Sequence, residues 1–210
     1  MADLSWVAEG RRRLERKMVL FVGRMESIKG IEVLLEAFGK LSRMPAIEVG
    51  SACLALIGGD ADVSNEKMDA EMARLQSLPI VAEMGRSIRF LGKRDQDTLP
   101  YYYSAADVVV VPSEYESFGL VALEAMACGT PVVASETGGL AFLIRDGETG
   151  FHVPAGNPDA LVERIEQLLE DRELQKRLGR QASTYARTFD WRLITDQILE
   201  LYSTLVPRSA

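Results

Sequence analysis

A chain of 210 residues, 47% hydrophobic and 26% charged, is long enough for one sizeable core and ordinary for a globular protein. Its 24 basic and 31 acidic side chains leave a formal charge of −7, which argues against a nucleic-acid partner and gives no general basic surface for anionic lipid. No apolar signal core follows Met1 and no apolar run reaches the roughly 18 residues of a membrane helix, so a cytoplasmic setting with no integral membrane segment is expected.

In chain order, residues 1–17 read as a linker or helical lead-in with Arg11-Arg12-Arg13 as a solvated basic run, and 18–210 as the domain proper. Residues 18–22 form a buried strand. Gly23, Arg24 and Lys29 follow it, and then a helix with Ile31, Leu34, Leu35, Phe38 and Leu41 at the helical period. Arg24 and Lys29 thus lie between a strand's carboxyl end and a helix N-terminus. They are either two solvated loop charges or a cation pair beside a helix dipole, suited to a diphosphate.

Ala52–Ile57 is the second strand and closes at Gly58-Gly59-Asp60. Cys53 and Cys128 both sit in apolar segments and are expected as reduced core thiols. Residues 64–84 read as one helix packed through Met68, Met72, Leu75 and Leu78. Ile88–Gly92 is a short strand, and Arg94 just past its carboxyl end is either a surface residue or a nucleotide contact. Asp97 or Thr98 is placed to cap the next helix, with Pro100 in its first turn. Tyr101, Tyr102 and Tyr103 are consecutive in that helix and face different directions, so ordinary packing is expected of them.

The chemistry concentrates between residues 107 and 134. Two apolar runs, 107–113 and 131–134, suit buried strands, and between them lies a helix of about ten residues ended by Gly129, with Pro131 beyond. The unit is strand, helix, strand. Leu120, Val121, Ala122, Leu123, Ala125, Met126 and Ala127 make that helix apolar nearly all round, so it is expected to be buried. Glu124 within it needs a partner, either a structural Arg or a ligand diol whose two hydroxyls a carboxylate accepts. Glu116 precedes the helix, at the strand end where open parallel sheets bind ligands, and is either solvated or part of such a site. Gly119 permits close backbone approach, and the amides of Phe118, Gly119 and Leu120 are expected to point towards an anion.

Downstream, 137–140 is a turn into a short helix. His152 is the only histidine and has no partner for metal or nucleophilic chemistry, so it is read as non-catalytic. Asn157 caps a helix with Pro158 at its first position, a second helix follows from 171, and a third carries Trp191, Ile194, Ile198, Leu201, Tyr202 and Leu205 on one stripe.

Residues 116–135, with two glutamates separated by seven residues, closely resemble the signature of the retaining group 1 (family four) glycosyltransferases of GT-B fold. The similarity continues through Gly138-Gly139-Leu140, residues 146–151 and the upstream 21–24, and spans roughly 18–205. The resemblance implies an α/β fold, a Rossmann-like parallel sheet flanked by helices, which is the second domain of a GT-B enzyme. It implies that Glu116 holds hydroxyls of a donor sugar and Glu124 the ribose of its nucleotide. By the same resemblance Arg24 and Lys29 bind the diphosphate and neutralise the charge that builds on it as it departs. Gly23, Gly58, Arg94, Phe118, Gly119 and Leu120 complete the implied donor-nucleotide site, with Arg94 in the loop that lines the base pocket.

The implied function is the donor-binding half of a retaining glycosyltransferase. No cofactor is called for beyond the nucleoside-diphosphate sugar, expected to be a UDP-sugar because the blocks are similar to sucrose-phosphate-synthase-like and glycosyl-inositol-forming members. Asp60-Ala61-Asp62 has the spacing of a metal motif, but in this order of elements it reads as solvated loop carboxylates, and no metal is required. The implied partners are the nucleotide-sugar and an N-terminal acceptor domain or separate acceptor subunit, and the apolar stripe at Trp191 favours self-association. Two alternatives stand beside this: a nucleotide-sugar binding module with no turnover, and a UDP-sugar 2-epimerase. The epimerase is disfavoured by the single histidine and the paired glutamates. A dehydrogenase is weaker still, for want of a Gly-x-Gly-x-x-Gly run after a strand.

Overall fold

The computed structural model describes residues 17–44, 52–58 and 65–205, with side chains in the last segment from residue 70. The basic run at Arg11, the pair Asp60 and Asp62, and the Met68 side chain lie outside the described residues, as does the expected lead-in up to residue 16. Lys17 already belongs to the first strand.

Six strands form one sheet: β1 (Lys17–Val22), β2 (Ala52–Ile57), β3 (Ile88–Gly92), β4 (Val108–Val111), β5 (Val132–Ser135) and β6 (Gly150–Val153). Their order is β3-β2-β1-β4-β5-β6, and every pairing is parallel. β2, β4 and β5 are buried along their whole length, which is why they read as unbroken apolar runs rather than as alternations. Side chains nevertheless alternate between the two faces. Val19, Phe21, Leu54, Leu56, Val108 and Val110 join one core cluster, and Met18, Leu20, Cys53, Ala55, Val109 and Val111 the other.

Helices α1 (Ile31–Leu41), α2 (Asn65–Gln76), α3 (Pro79–Met84) and α7 (Pro158–Glu170) supply the first cluster's other wall, through residues such as Leu34, Phe38, Leu75 and Ile165. Helices α4 (Leu99–Ala105), α5 (Leu120–Ala127), α6 (Leu140–Leu143) and α8 (Arg172–Ala186) cover the second face, through Tyr102, Tyr103, Ala125, Leu140 and Ala182. Connections after β1 and β2 therefore run over one face, and those after β3, β4 and β5 over the other. The direction of travel reverses between β1 and β4, and it is there, at the carboxyl ends of the strands, that open parallel sheets have their crevice. A last helix, α9 (Trp191–Leu205), has no buried residue. Among the described residues no helix is long and apolar enough to cross a membrane.

Three local expectations need correction. The helix expected over 64–84 is two, because Pro79 puts Leu78 in the extended region and restarts the helix as α3. Thr98 does flank α4, but its hydroxyl donates backwards to the Asp95 carbonyl at 2.8 Å instead of accepting from the helix. The signature helix α5 is eight residues long. Its end is as expected: Gly129 has φ 77°, its amide donates to the Met126 carbonyl, and the Thr130 amide donates to the Ala125 carbonyl, a Schellman closure. Asn157 accepts from the Ala160 amide at 3.0 Å and caps α7.

The loops after β1 and β4 are joined in the crevice. The Glu114 amide donates to the Ile28 carbonyl at 2.9 Å. Gly30 has φ 70°, and a Cβ there would overlap the Pro112 carbonyl. Gly30→Ala is expected to cost about 2–4 kcal/mol, combining left-handed strain with overpacking. Gly156→Ala, with φ 70° and open space around it, is expected to cost only the strain, about 1–2 kcal/mol. Urea melts of the two variants check the difference, and equal losses would mean that the Pro112 contact carries no weight.

Candidate functional site

Lys29 and Glu116 meet across the joined loops after β1 and β4. Lys29 ends a one-turn 3-10 helix, Ser27–Lys29, that Gly30 closes. Glu116 stands in the loop after β4. Lys29 Nζ donates to Glu116 Oε2 at 2.8 Å, and the two side chains are 18% and 19% exposed. Both charges are thus kept at the crevice, partly desolvated and mutually compensated. Arg24, in the same loop as Lys29, is half-exposed and pairs with Glu26 at 3.0 Å.

The loop carrying Glu116 is braced from behind by the turn after β5. The Gly139 amide donates to the Glu116 carbonyl at 2.8 Å, and the Thr137 hydroxyl to the Glu114 carbonyl at 3.0 Å. A Cβ at Gly138 would overlap the Glu116 carbonyl, and one at Gly139 the backbone of Phe118. Both glycines are therefore explained by close packing of two loops. Gly119, with φ 100°, opens α5, and a Cβ there would come within 2.7 Å of Leu140 Cδ2. No side chain caps α5, so its first-turn amides have no partner within the helix. The Phe118 ring turns to meet Phe189 edge-on at 6.0 Å.

Gly58 is buried, and a Cβ there would overlap the Gly23 carbonyl. The Gly23 amide donates to the Ile57 carbonyl and the Gly58 amide to the Gly92 carbonyl, which draws the ends of β1, β2 and β3 together. Arg94 follows β3, two strands from the crevice, and its Nε donates to the Tyr102 hydroxyl at 3.1 Å.

The expectation that α5 is buried all round is wrong. Ala122, Ala125 and Met126 face the core, whereas Leu120 is 64% exposed and Glu124 is also exposed. An apolar stripe in sequence reports only that a surface avoids water, and among the described residues no element covers Leu120 and Glu124 on the outer side of α5. Nor is the protein partner of Glu124 an arginine. Tyr103 donates its phenol hydrogen to Glu124 Oε2 at 2.7 Å, and among the described residues the carboxylate has no other hydrogen-bond partner.

Tyr102 and Tyr103 are thus more than packing residues. Both are buried, 0% and 1% exposed, and their hydroxyls reach different candidate residues: Tyr102 accepts from Arg94, Tyr103 donates to Glu124. The available signal was the hydroxyl itself, since a buried tyrosine needs a polar partner. His152 Nε2 lies 3.2 Å from the Leu140 carbonyl.

A family model described as glycosyl transferases group 1 matches residues 5–185. A D-inositol 3-phosphate glycosyltransferase of Corynebacterium jeikeium is 38% identical over 192 residues, covering 91% of this chain and 44% of that protein. The structure of a sucrose-phosphate synthase from Thermosynechococcus elongatus superposes with a TM-score of 0.78 at 37% identity, covering 96% of this chain and 49% of the other. Anabaena HepE in complex with UDP-glucose gives 0.77 at 28% identity, covering 95% and 53%. The chain spans about half the length of the relatives it matches. The parallel sheet and its order agree with the second, Rossmann-like domain of the GT-B fold expected from the sequence.

Burial, and then the carboxylate that accepts from it, push the Tyr103 phenol above its usual range. Below about pH 10 the phenol keeps its proton folded and unfolded, and it adds no pH dependence. Above that pH the unfolded chain releases the proton and the folded chain does not. Stability should then fall with rising pH by about 1.4 kcal/mol per unit from this group. Urea melts from about pH 9 to about pH 11 should show a steeper loss for the native chain than for Tyr103→Phe. Parallel losses would remove Tyr103 as the cause.

Proposed function

The chain belongs to the group 1 glycosyl transferases, and from that premise we propose that it is the donor-binding half of a retaining enzyme that moves a sugar from a UDP-sugar to an acceptor hydroxyl. The observation that carries this reading is the meeting of Lys29 with Glu116 at the point where the strand order reverses.

In the proposed complex the diphosphate takes Lys29 from Glu116, with Arg24 and the open amides at the start of α5 as further donors. Glu116, released from its ion pair, accepts from hydroxyls of the donor sugar. Glu124 accepts from the ribose diol through the oxygen that Tyr103 leaves free. The bond between the anomeric carbon and the diphosphate breaks as a bond to the acceptor oxygen forms on the same face. The acceptor's proton passes to a leaving-phosphate oxygen, and the cations stabilise the charge that accumulates there. No protein nucleophile is needed for this course. The UDP assignment is supported by the UDP-glucose held by HepE.

The acceptor site is assigned to the half of the relatives' length that lies beyond this chain. By itself the chain then acts as a nucleotide-sugar binding module, which is the second reading, and it differs from the first only in turnover. On α9, Trp191 is 80% exposed, with Leu201, Tyr202 and Leu205 exposed along the same helix. We assign this stripe to contact with the acceptor half, and in its absence with a second copy.

Calorimetric titration with UDP, ADP and GDP tests the reading. Saturable binding of UDP is expected. Glu124→Ala should weaken it by about 1–3 kcal/mol, the value of a hydrogen bond to a charged acceptor. Lys29→Ala should weaken UDP more than uridine, since only UDP presents the diphosphate. Unchanged affinity in the first variant, or equal losses in the second, would withdraw the role assigned to that residue. Sedimentation of the isolated chain is expected to show concentration-dependent self-association, and a strictly monomeric profile would refute the role of the α9 stripe.

A further inference from the structure

Tyr103 and Thr130 are buried polar residues that the proposed reaction does not use. They form a closed bracket around α5. The Thr130 hydroxyl donates to the Tyr103 carbonyl at 2.6 Å, and the Thr130 amide donates to the Ala125 carbonyl at the end of α5. From the same tyrosine the side chain runs back to Glu124 Oε2 at 2.7 Å. One residue of α4 therefore holds both the end of α5 and the carboxylate in its middle.

Glu124 is otherwise an exposed, flexible side chain with no other hydrogen-bond partner among the described residues. A carboxylate in that condition must be ordered when a ligand binds, and the lost rotamer freedom opposes binding. A donor fixed in the core removes that loss beforehand. It also occupies one acceptor direction of Oε2 and leaves Oε1 and the remaining direction without a partner among the described residues. The phenyl ring alone would fill the core equally well, and among the described residues the hydroxyl has no other hydrogen-bond partner. Thr130 binds the backbone of Tyr103, so that contact survives replacement of the side chain.

We propose that Tyr103 is a positioning residue for the donor ribose: its buried hydroxyl holds the Glu124 carboxylate in the one orientation that accepts both hydroxyls of the diol. This rests on the reading of Glu124 as the ribose contact. The bracket extends to Arg94, which the neighbouring Tyr102 engages from the same helix.

The test is calorimetric titration of the chain with UDP and with 2′,3′-dideoxy-UDP, in the native form, Tyr103→Phe, Glu124→Ala and the double variant. The native chain should prefer UDP. Tyr103→Phe should still unfold cooperatively near neutral pH, lose about tenfold in UDP affinity and leave the dideoxy nucleotide unchanged. In the Glu124→Ala background the tyrosine substitution should cost nothing further, because the two act through one contact. Three results would overturn the positioning role. These are an undiminished ribose preference in Tyr103→Phe, equal losses for both nucleotides, or the same loss with and without Glu124. A native chain that does not distinguish the two nucleotides would instead remove the ribose role of Glu124, and this inference with it.

Discussion

An all-parallel sheet needs a crossover for every strand pair, and both its faces must be covered to keep those crossovers packed. In this chain that requirement shapes nearly everything else. The connections after β1 and β2 occupy one face, those after β3, β4 and β5 the other, and the loops that follow β1 and β4 are the two that diverge. Lys29 lies in one and Glu116 in the other, 87 residues apart in the chain. Strand order sets the two loops side by side, and the backbone contact of Ile28 with Glu114 draws them together.

Backbone contacts keep that crevice narrow, and glycines permit them. Gly30 lies against Pro112, Gly58 against Gly23, and Gly138 against Glu116, each at a separation that a Cβ would forbid. The candidate polar side chains, at the crevice and two strands away at Arg94, are then held by neighbouring groups. Lys29 and Glu116 hold one another, Tyr103 holds Glu124, and Tyr102 holds Arg94. Each of these bonds restricts the rotamers of the side chain it holds. Exposed apolar side chains border the same end of the sheet: Tyr115, Phe118, Leu120 and Phe142, the last 85% exposed. Trp191, Leu201, Tyr202 and Leu205 on α9 are exposed as well.

Much of this was legible in the residues. β1, β2, β4 and β5 announced themselves as β-branched or apolar runs, because burial on both faces leaves no position free to be polar. The stripe of Ile31, Leu34, Leu35, Phe38 and Leu41, the cap at Asn157 and the closure at Gly129 are local features, set by neighbours within a few residues, and they stand where expected. The signature around Glu116 and Glu124 pointed to the family for a similar reason, since it packs an entire strand, loop and helix into one continuous stretch.

Tertiary structure alone decided the rest. Helical periodicity showed that α5 is apolar on most sides but not which side another layer would cover, so Glu124 was expected in the interior and stands outside it. The tyrosines at 102 and 103 were correctly expected to pack, but the destination of a hydroxyl depends on elements distant in sequence. Gly58 and Gly138 gave no sign of what approaches them, because a glycine records only that something must come close. Composition, period and local caps are determined by the chain's own neighbours, and the sequence carries them openly. Which charge meets which, and which face stays bare, depends on how separate elements are stacked, and that is settled only when the sheet closes between β1 and β4.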